Sequence, residues 1–421
     1  MRVAVLGAGV AGCSISRMLH DNGYDVTLYE KDPSIGGLAK TKVIDGYIFD
    51  LHGGHLFGTK NKRVEEWAFS ILPKENWEHY YRNAKIFMQG KFITYPFESG
   101  LCQLDDNFAI DCALDYIQAQ QGSMPDNYYD WLEWQFGKTI ADFYMRPYNR
   151  KIWGYPLEDM EIEWVHGKMP LSSKREILES LVKRDSKERN SVHSSFHYPK
   201  LGIQMLYDTM AKPLTVLLNT PVERIEKSGD KWIINGTETY DSVVSTLPIV
   251  EMPNMMTLPQ SVVSAIGQLV YNSHTSVFFN SIPSDIHWLY LPENNYRAHR
   301  VGYMTSMCSV ASPDSGAGNG AIELIGEKFD VPNDFILREG IVPNELGLKR
   351  QFGSAFAKYA YVVHSKGYER NTKMFRDYFA DVDNFHLLGR WAYWHYANMD
   401  ICMGDAMKIV DKYFPKVGRQ V

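Results

Sequence analysis

Residues 1–12 read MRVAVLGAGVAG: an apolar run over 1–6 enters Gly7-Ala8-Gly9-Val10-Ala11-Gly12, and a helical stretch follows to His20. A second apolar run, 24–29, ends on Glu30, and Gly36-Gly37-Leu38 comes soon after. Strand, glycine turn, helix, strand and acid in this order are what a chain needs to hold a dinucleotide. Gly7 permits the tight turn, Gly9 lets a pyrophosphate approach the backbone, and Gly12 lets the helix lie close to the strand. The helix start offers free N–H groups and the positive end of its dipole. Glu30 is placed to accept from ribose hydroxyls. A glycine turn that only packs a helix on a sheet is the alternative, but it leaves the acid unexplained. Gly36-Gly37 argues for FAD over NAD, because a second glycine turn brings more backbone N–H groups to a longer cofactor. The first cofactor set is Gly7, Gly9, Ala11, Gly12, Glu30, Lys31, Gly36, Gly37 and Leu38.

A chain of 421 residues can bury a large core and usually forms two or three domains. Its 45% hydrophobic and 22% charged content is that of a globular protein. The net charge of −6 gives no global attraction to nucleic acid or an anionic membrane, so an anionic substrate needs a local basic cluster. Five cysteines, an odd number without a CxxC pair, read as reduced thiols. The strand at 2–6 leaves no room for a targeting peptide and no apolar run is long enough to span a membrane, so the expected location is the cytoplasm. His52 and His55 on one glycine loop lack further ligands nearby, and no metal is expected.

From about Asp105 helical periodicity takes over, with helices expected over 109–121, 128–146 and 174–187, and a turn at Pro147. The stretch 170–174 reads as a mobile loop and the charged run 183–189 as a solvated helix face. Strand patterns return at 222–225, 232–234, 242–246, 274–279, 288–291, 300–307 and 321–325, with an early one at 47–51 and a late one at 385–389. A helix is expected over 403–413. The glycines of 312–320 follow no strand and are not a second fingerprint. One nucleotide-binding domain is thus interrupted by helices and an antiparallel sheet, and the chain returns to the cofactor at its end.

Several motifs carry a resemblance. Residues 240–248, YDSVVSTLP, look like the corresponding strand of glutathione-reductase-type flavoproteins. Tyr95-Pro96-Phe97-Glu98, Arg146-Pro147-Tyr148-Asn149-Arg150-Lys151-Ile152-Trp153, Trp288-Leu289-Tyr290 followed by Arg300, and Gly389-Arg390 followed by Tyr396, Asn398 and Asp400 resemble the UDP-galactopyranose mutase family. The motifs are short, but they run in the family's order from residue 1 to about 408. The resemblance implies an α/β fold: a Rossmann-like FAD-binding domain of the glutathione-reductase type with a helical insertion and an antiparallel sheet domain. The corresponding boundaries are 1–84, 196–260 and 365–421 for the FAD domain, 98–195 for the insertion with a mobile loop near 166–174, and 85–97 plus 261–364 for the sheet domain.

The resemblance implies a reaction as well. FAD, kept reduced by NAD(P)H or another reductant, attacks the anomeric carbon of a nucleoside-diphosphate sugar through N5, and the sugar recloses as the furanose isomer without net redox. His55, Arg300, Lys168 and Arg390 are the implied catalytic residues. Gly53, Gly54, His55, Val222, Gly389, Arg390, Asn398, Met399 and Asp400 join the cofactor set. Tyr95, Phe97, Glu98, Tyr144, Asn149, Trp153, Lys168, Trp288, Tyr290, Arg300, Tyr361, Tyr396 and Asn398 form the substrate set, Tyr144 stacking on the base. A leaving diphosphate calls for cations, ideally the planar fork of arginine. Arg300 fits that need; its alternative is a surface salt bridge. Lys168 stands where the family has a second arginine, keeping the charge without the fork, and its alternative is an exposed loop lysine. Tyr361 and Tyr396 match tyrosines that reach the diphosphate, and Arg390 meets the isoalloxazine, where it favours the anionic reduced flavin. For His55, Trp153 and the tyrosines, a packing role in the core is the alternative.

Glu98 departs from the family's glutamine. An amide donates and accepts, whereas an ionised carboxylate only accepts. Guanine presents N1–H and N2–H₂ side by side, so Glu98 points toward GDP where a glutamine points toward UDP. The galactose-like sugar is the default by resemblance. Two other classes stay open: a flavin oxidase of the amine-oxidase kind, and a flavin-binding protein without catalysis. No nucleic-acid or membrane partner is expected, and a homodimer is open.

Overall fold

The computed structural model describes residues 1–165, 171–186, 195–314, 316–326, 328 and 330–417. Strand Arg2–Leu6 lies at the centre of a parallel sheet, between Asp25–Tyr29 and Ser242–Ser245. Thr215–Leu217 and Phe385–Leu387 complete five strands, all pairs parallel. Such strands are covered on both faces, which is why the VAVL run is apolar throughout. Val3 and Val5 enter one core with helices Val10–Asp21, Gln204–Ala211 and Met399–Tyr413. Ala4 and Leu6 enter another with Gln260–Ile266 and Tyr368–Ala380.

A second sheet has seven strands in the order Leu348–Val363, Val270–Ser281, Gly318–Ile325, Arg300–Tyr303, Trp288–Tyr290, Ala84–Met88 and Lys91–Thr94. Its pairs are antiparallel except Trp288–Tyr290 with Ala84–Met88. The third layer is helical: Asp106–Gln118, Tyr128–Phe136, Arg146–Trp153 and Lys174–Lys183 bury Tyr116, Trp131, Phe136, Tyr144 and Trp153 in a core of their own.

Several expected elements differ. The helix expected over 128–146 breaks at Gly137, whose φ is 78° and where an added Cβ would lie 2.7 Å from the Asp115 backbone. The chain then stays helical past Pro147 to Trp153 instead of turning there. A wide i→i+5 turn over Ala141–Met145 precedes the proline, which sits in the first turn of the last segment, where its missing N–H costs little. Gly154, at φ 55°, ends the helix. The strand expected from residue 222 starts at Ile225, and that expected to 307 stops at Tyr303. The last helix begins at Met399, not 403. The sixteen-residue strand Leu348–Val363 was not anticipated; its first half alternates poorly because much of it is exposed. Part of the expected mobile loop, 166–170, lies outside the described residues.

Candidate functional site

The fingerprint packs backbone on backbone. Gly7 turns at φ 93°, and a Cβ on Gly12 would lie 1.8 Å from the Gly7 carbonyl oxygen. Gly36 donates to the Ala8 carbonyl at 2.8 Å, and a Cβ on Gly37 would lie 3.0 Å from Gly9 Cα. Gly389 closes the ring from the other end of the chain, since its Cβ would meet that of Ala11 at 2.7 Å. Gly9 meets nothing nearer than 3.9 Å. The helix that starts there has no side-chain cap and no acid in its first turn, so its N–H groups remain open to an anion. Glu30 is buried at the sheet end, accepting from the N–H groups of Ala8 (2.9 Å) and Asp32 (3.0 Å). Val222 is buried a few residues past Thr220, whose N–H bonds the Glu30 carbonyl. Lys31 is exposed, Leu38 half-buried, and Asn398, Met399 and Asp400 open the last helix, which packs on the first. This cradle fits a long, anionic dinucleotide.

Beyond the cradle lies a charged wall. Arg300 and Glu323 are register partners on adjacent strands and form a two-pronged pair at 2.9 and 2.6 Å. The Glu323 side chain is 0% exposed and that of Arg300 18%, so the pair opens toward solvent only on the arginine side. Burial alone would raise the Glu323 carboxyl, but Arg300 and His274 outweigh it and hold the group well below the usual carboxylate range. Gly53 lies directly over this carboxylate, 3.0 Å from a would-be Cβ, and Gly54 lies against Met307 and the Trp288 indole. His55 Nδ1 meets the Gly53 carbonyl at 2.6 Å, which makes it the N–H donor and leaves Nε2 as an acceptor. Burial, with Arg390 and Arg300 nearby, pushes His55 down to about 4, so it is neutral. The buried Asp50, raised by that burial to about 6, accepts from the His55 N–H and the Tyr198 hydroxyl and fixes the loop.

Arg390 donates to the Ala397 and Ala360 carbonyls and lies 5.1 Å from the centre of the Tyr396 ring. Tyr396 stacks on Tyr361 at 6.4 Å, and Tyr361 meets Trp153 edge-on. Burial pushes the Tyr361 hydroxyl up to about 12 against the pull of Arg300. Trp288 and Tyr290 share the wall with Tyr95, and Arg82, which the sequence reading passed over, sits against both Tyr95 and Trp288 and donates to the Tyr290 hydroxyl. The helical layer packs against this wall, with the Tyr148 ring edge-on to Tyr290 at 5.4 Å. Phe97, Tyr144 and Tyr148 stack as a ladder at 4.9 and 5.8 Å. Among the described residues, the buried Tyr148 hydroxyl and Trp288 indole N–H have no partner.

Two expectations change, at Asn149 and Glu98. Asn149 is used within the helices, accepting from Tyr128 and donating to the Met145 carbonyl. Lys168 lies outside the described residues. Glu98 is fully buried, and that burial raises it to about 7, so the premise of an always-ionised carboxylate does not hold. One oxygen accepts from Ser172 at 3.3 Å; the other has no partner among the described residues. The sequence reading also missed Glu323. A single acid inside the apolar strand AIELI signals a buried partner, and Arg300 is that partner.

The profile of the flavin containing amine oxidoreductase family matches residues 10–281, more than half of the chain. The chain belongs to that family. The cofactor of the cradle is accordingly FAD. Among curated proteins it is similar to a UDP-galactopyranose mutase of Mycoplasma pneumoniae (strain ATCC 29342 / M129 / Subtype 1), 26% identical over 167 residues, 37% of this chain and 41% of that one. A 4,4'-diapophytoene desaturase (4,4'-diaponeurosporene-forming) of Staphylococcus aureus (strain bovine RF122 / ET3-1) is 37% identical over 51 residues, 12% of this chain and 10% of that one. The chain thus spans less than half the length of these curated relatives. Its fold matches that of a reduced UDP-galactopyranose mutase with a TM-score of 0.85 at 20% identity, over 97% of this chain and 94% of the other. Among the described residues, no helix is long and apolar enough to cross a membrane, and no three His, Cys, Asp or Glu side chains group as metal ligands.

Proposed function

We propose that the chain is a flavin-dependent isomerase interconverting the pyranose and furanose forms of a nucleoside-diphosphate sugar. One observation carries this reading: Arg300, anchored by a buried carboxylate, stands with Arg390, Tyr361 and Tyr396 beside the point where Gly53 and Gly54 meet the charged wall. An oxidase of amines calls for an apolar or aromatic cage, not converging cations and tyrosine hydroxyls. The overall likeness to a mutase fold supports the same reading.

When bound in its reduced form, the flavin supplies the nucleophile for the anomeric carbon. Arg300 holds the departing diphosphate, and Glu323 keeps the guanidinium in place and charged. Tyr361 and Tyr396 donate hydroxyls to the same oxygens, and Lys168 supplies a second positive charge for them. Arg390 would contribute the positive charge that favours the anionic reduced state of a bound flavin. His55 keeps its proton on Nδ1 and offers Nε2 to a sugar hydroxyl or the flavin. Tyr95, Tyr290 and Trp288 form the aromatic side of the nucleotide cleft, and Phe97, Tyr144 and Trp153, buried in the helical layer, pack behind them.

Glu98 selects the base. Protonated, its carboxyl donates and accepts as an amide does and suits uracil; ionised, it suits guanine. With the group raised to about 7, UDP is favoured below that pH and GDP above it. A UDP preference in the wild type that does not move between pH 6 and 8, and is shared by Glu98→Gln, removes this role.

The reaction is tested by incubating dithionite-reduced protein with UDP-galactose and with GDP-linked sugars, and separating products by chromatography. A furanose product formed over many turnovers, with the flavin still reduced at the end, supports the mutase. No furanose from any nucleotide sugar, with anaerobic bleaching of the flavin by an amine, points instead to the oxidase reading, which the family match itself favours.

A further inference from the structure

Helix Arg146–Trp153 sends one charged side chain across to the seven-stranded sheet. The Lys151 ammonium donates to the carbonyls of Leu291 at 2.8 Å, Glu293 at 2.6 Å, Tyr296 at 2.8 Å and Ala298 at 3.3 Å. An ammonium has three N–H bonds, so four oxygens share them in a closed cage. All four carbonyls belong to the connection between strands Trp288–Tyr290 and Arg300–Tyr303, in which Tyr290 lies opposite Arg300. The connection has little regular structure of its own. The same helix is tied at its end by Asn272, whose amide donates to the Ile152 and Trp153 carbonyls while its oxygen accepts from the Tyr361 N–H.

We propose that Lys151 is a positioning residue whose ammonium gathers the 291–298 connection onto helix Arg146–Trp153 and so sets the gap between the aromatic side of the cleft and Arg300. Burial lowers the amine to about 8, against the pull of the Glu293 carboxylate, and four carbonyl acceptors bond its charged form. The lysine touches neither substrate nor cofactor. Its effect on ligand affinity rests on reading this cleft as the nucleotide-sugar site; its effect on the connection does not.

The test uses the flavin-loaded protein, Lys151→Met and Lys151→Ala. Amide hydrogen exchange over residues 291–300 is measured without nucleotide, and UDP and GDP affinities are measured by flavin fluorescence. In both variants exchange of the connection rises and nucleotide binding weakens by about tenfold, the ratio carried by one lost charge-assisted hydrogen bond. The flavin absorbance spectrum stays as in the wild type. Propylammonium restores protection and affinity in Lys151→Ala but not in Lys151→Met, whose side chain fills the channel. Unchanged exchange over 291–300 overturns the proposal whatever the nucleotides do. Raised exchange in a protein whose wild type binds neither nucleotide keeps the clamp and sinks the nucleotide-sugar reading. Should neither variant accumulate with flavin, refolding of Lys151→Ala with propylammonium decides: recovery supports the clamp, and no recovery overturns it.

Discussion

The cradle around Gly7–Gly12 and the wall around Arg300 meet at one cleft but are held by opposite means. In the cradle, backbone lies on backbone, side chains are absent where the glycine turns approach, and the Glu30 carboxylate is held by the Ala8 and Asp32 N–H groups rather than by a cation. In the wall, a fully buried carboxylate holds a guanidinium, with His274 3.3 Å away and His299 4.0 Å away. The first region is sensitive to volume and the second to charge. A site assembled this way has two kinds of failure, and each can be provoked alone.

The largest effect belongs to the cradle. Gly12→Ala places a carbon 1.8 Å from the Gly7 carbonyl oxygen, which no side-chain adjustment relieves. Protein of this variant is expected to purify without flavin and to lose about 4 kcal/mol or more in stability, measured by absorbance at the flavin band and by urea denaturation. The wall responds next. Glu323→Gln leaves the Arg300 charge without its counter-ion and is expected to cost about 3–5 kcal/mol, as broken buried pairs do. The double variant Arg300→Met/Glu323→Leu should recover most of that loss. Equal losses in the single and double variants would show that volume, not charge, governs the wall too.

Glu98 offers a milder probe of charge. Its pKa is raised from 4.5 to about 7 in the folded state, so folding binds a proton that the unfolded chain releases. The stability this contributes is complete below pH 4.5 and is lost as pH rises to 7, about 3 kcal/mol across that window. Glu98→Gln should flatten that part of the pH–stability curve, read by thermal melting in steps of pH. A curve with the same slope in both proteins would place the titration elsewhere. The smallest effect is expected from Arg300→Lys, which keeps the charge and gives up the fork. It should leave flavin content and stability near wild type and weaken UDP binding by about 10- to 100-fold, worth about 1.5–3 kcal/mol. Calorimetric titration measures it.

The same contrast governs what could be read from the sequence. The cradle is legible because its constraints are local: three glycines, a helix start and an acid within thirty residues. Arg300 was reached by resemblance and Glu323 was not, because their pairing depends on which strands become neighbours. Nothing near residue 323 in the chain records that Arg300 lies opposite. The helix through Pro147 was misjudged because proline usually stops a helix, and the wide turn that accommodates it has no sequence signature. The charge of Glu98 is not legible in the sequence, since its burial is a property of the packed fold.

The parallel sheet is threaded by the whole chain. Strand Arg2–Leu6 waits for Ser242–Ser245, that strand waits for Phe385–Leu387, and the first helix shares its core with the last, where the Val417 N–H bonds the Asn22 carbonyl. On a ribosome adding about 5–20 residues per second, the opening βαβ unit stands with an apolar face uncovered for roughly 20–80 s. The flavin cradle is therefore made well before the strands and the helix that finish it. A chain cut before Met399 would carry the full fingerprint yet leave that core without helix Met399–Tyr413.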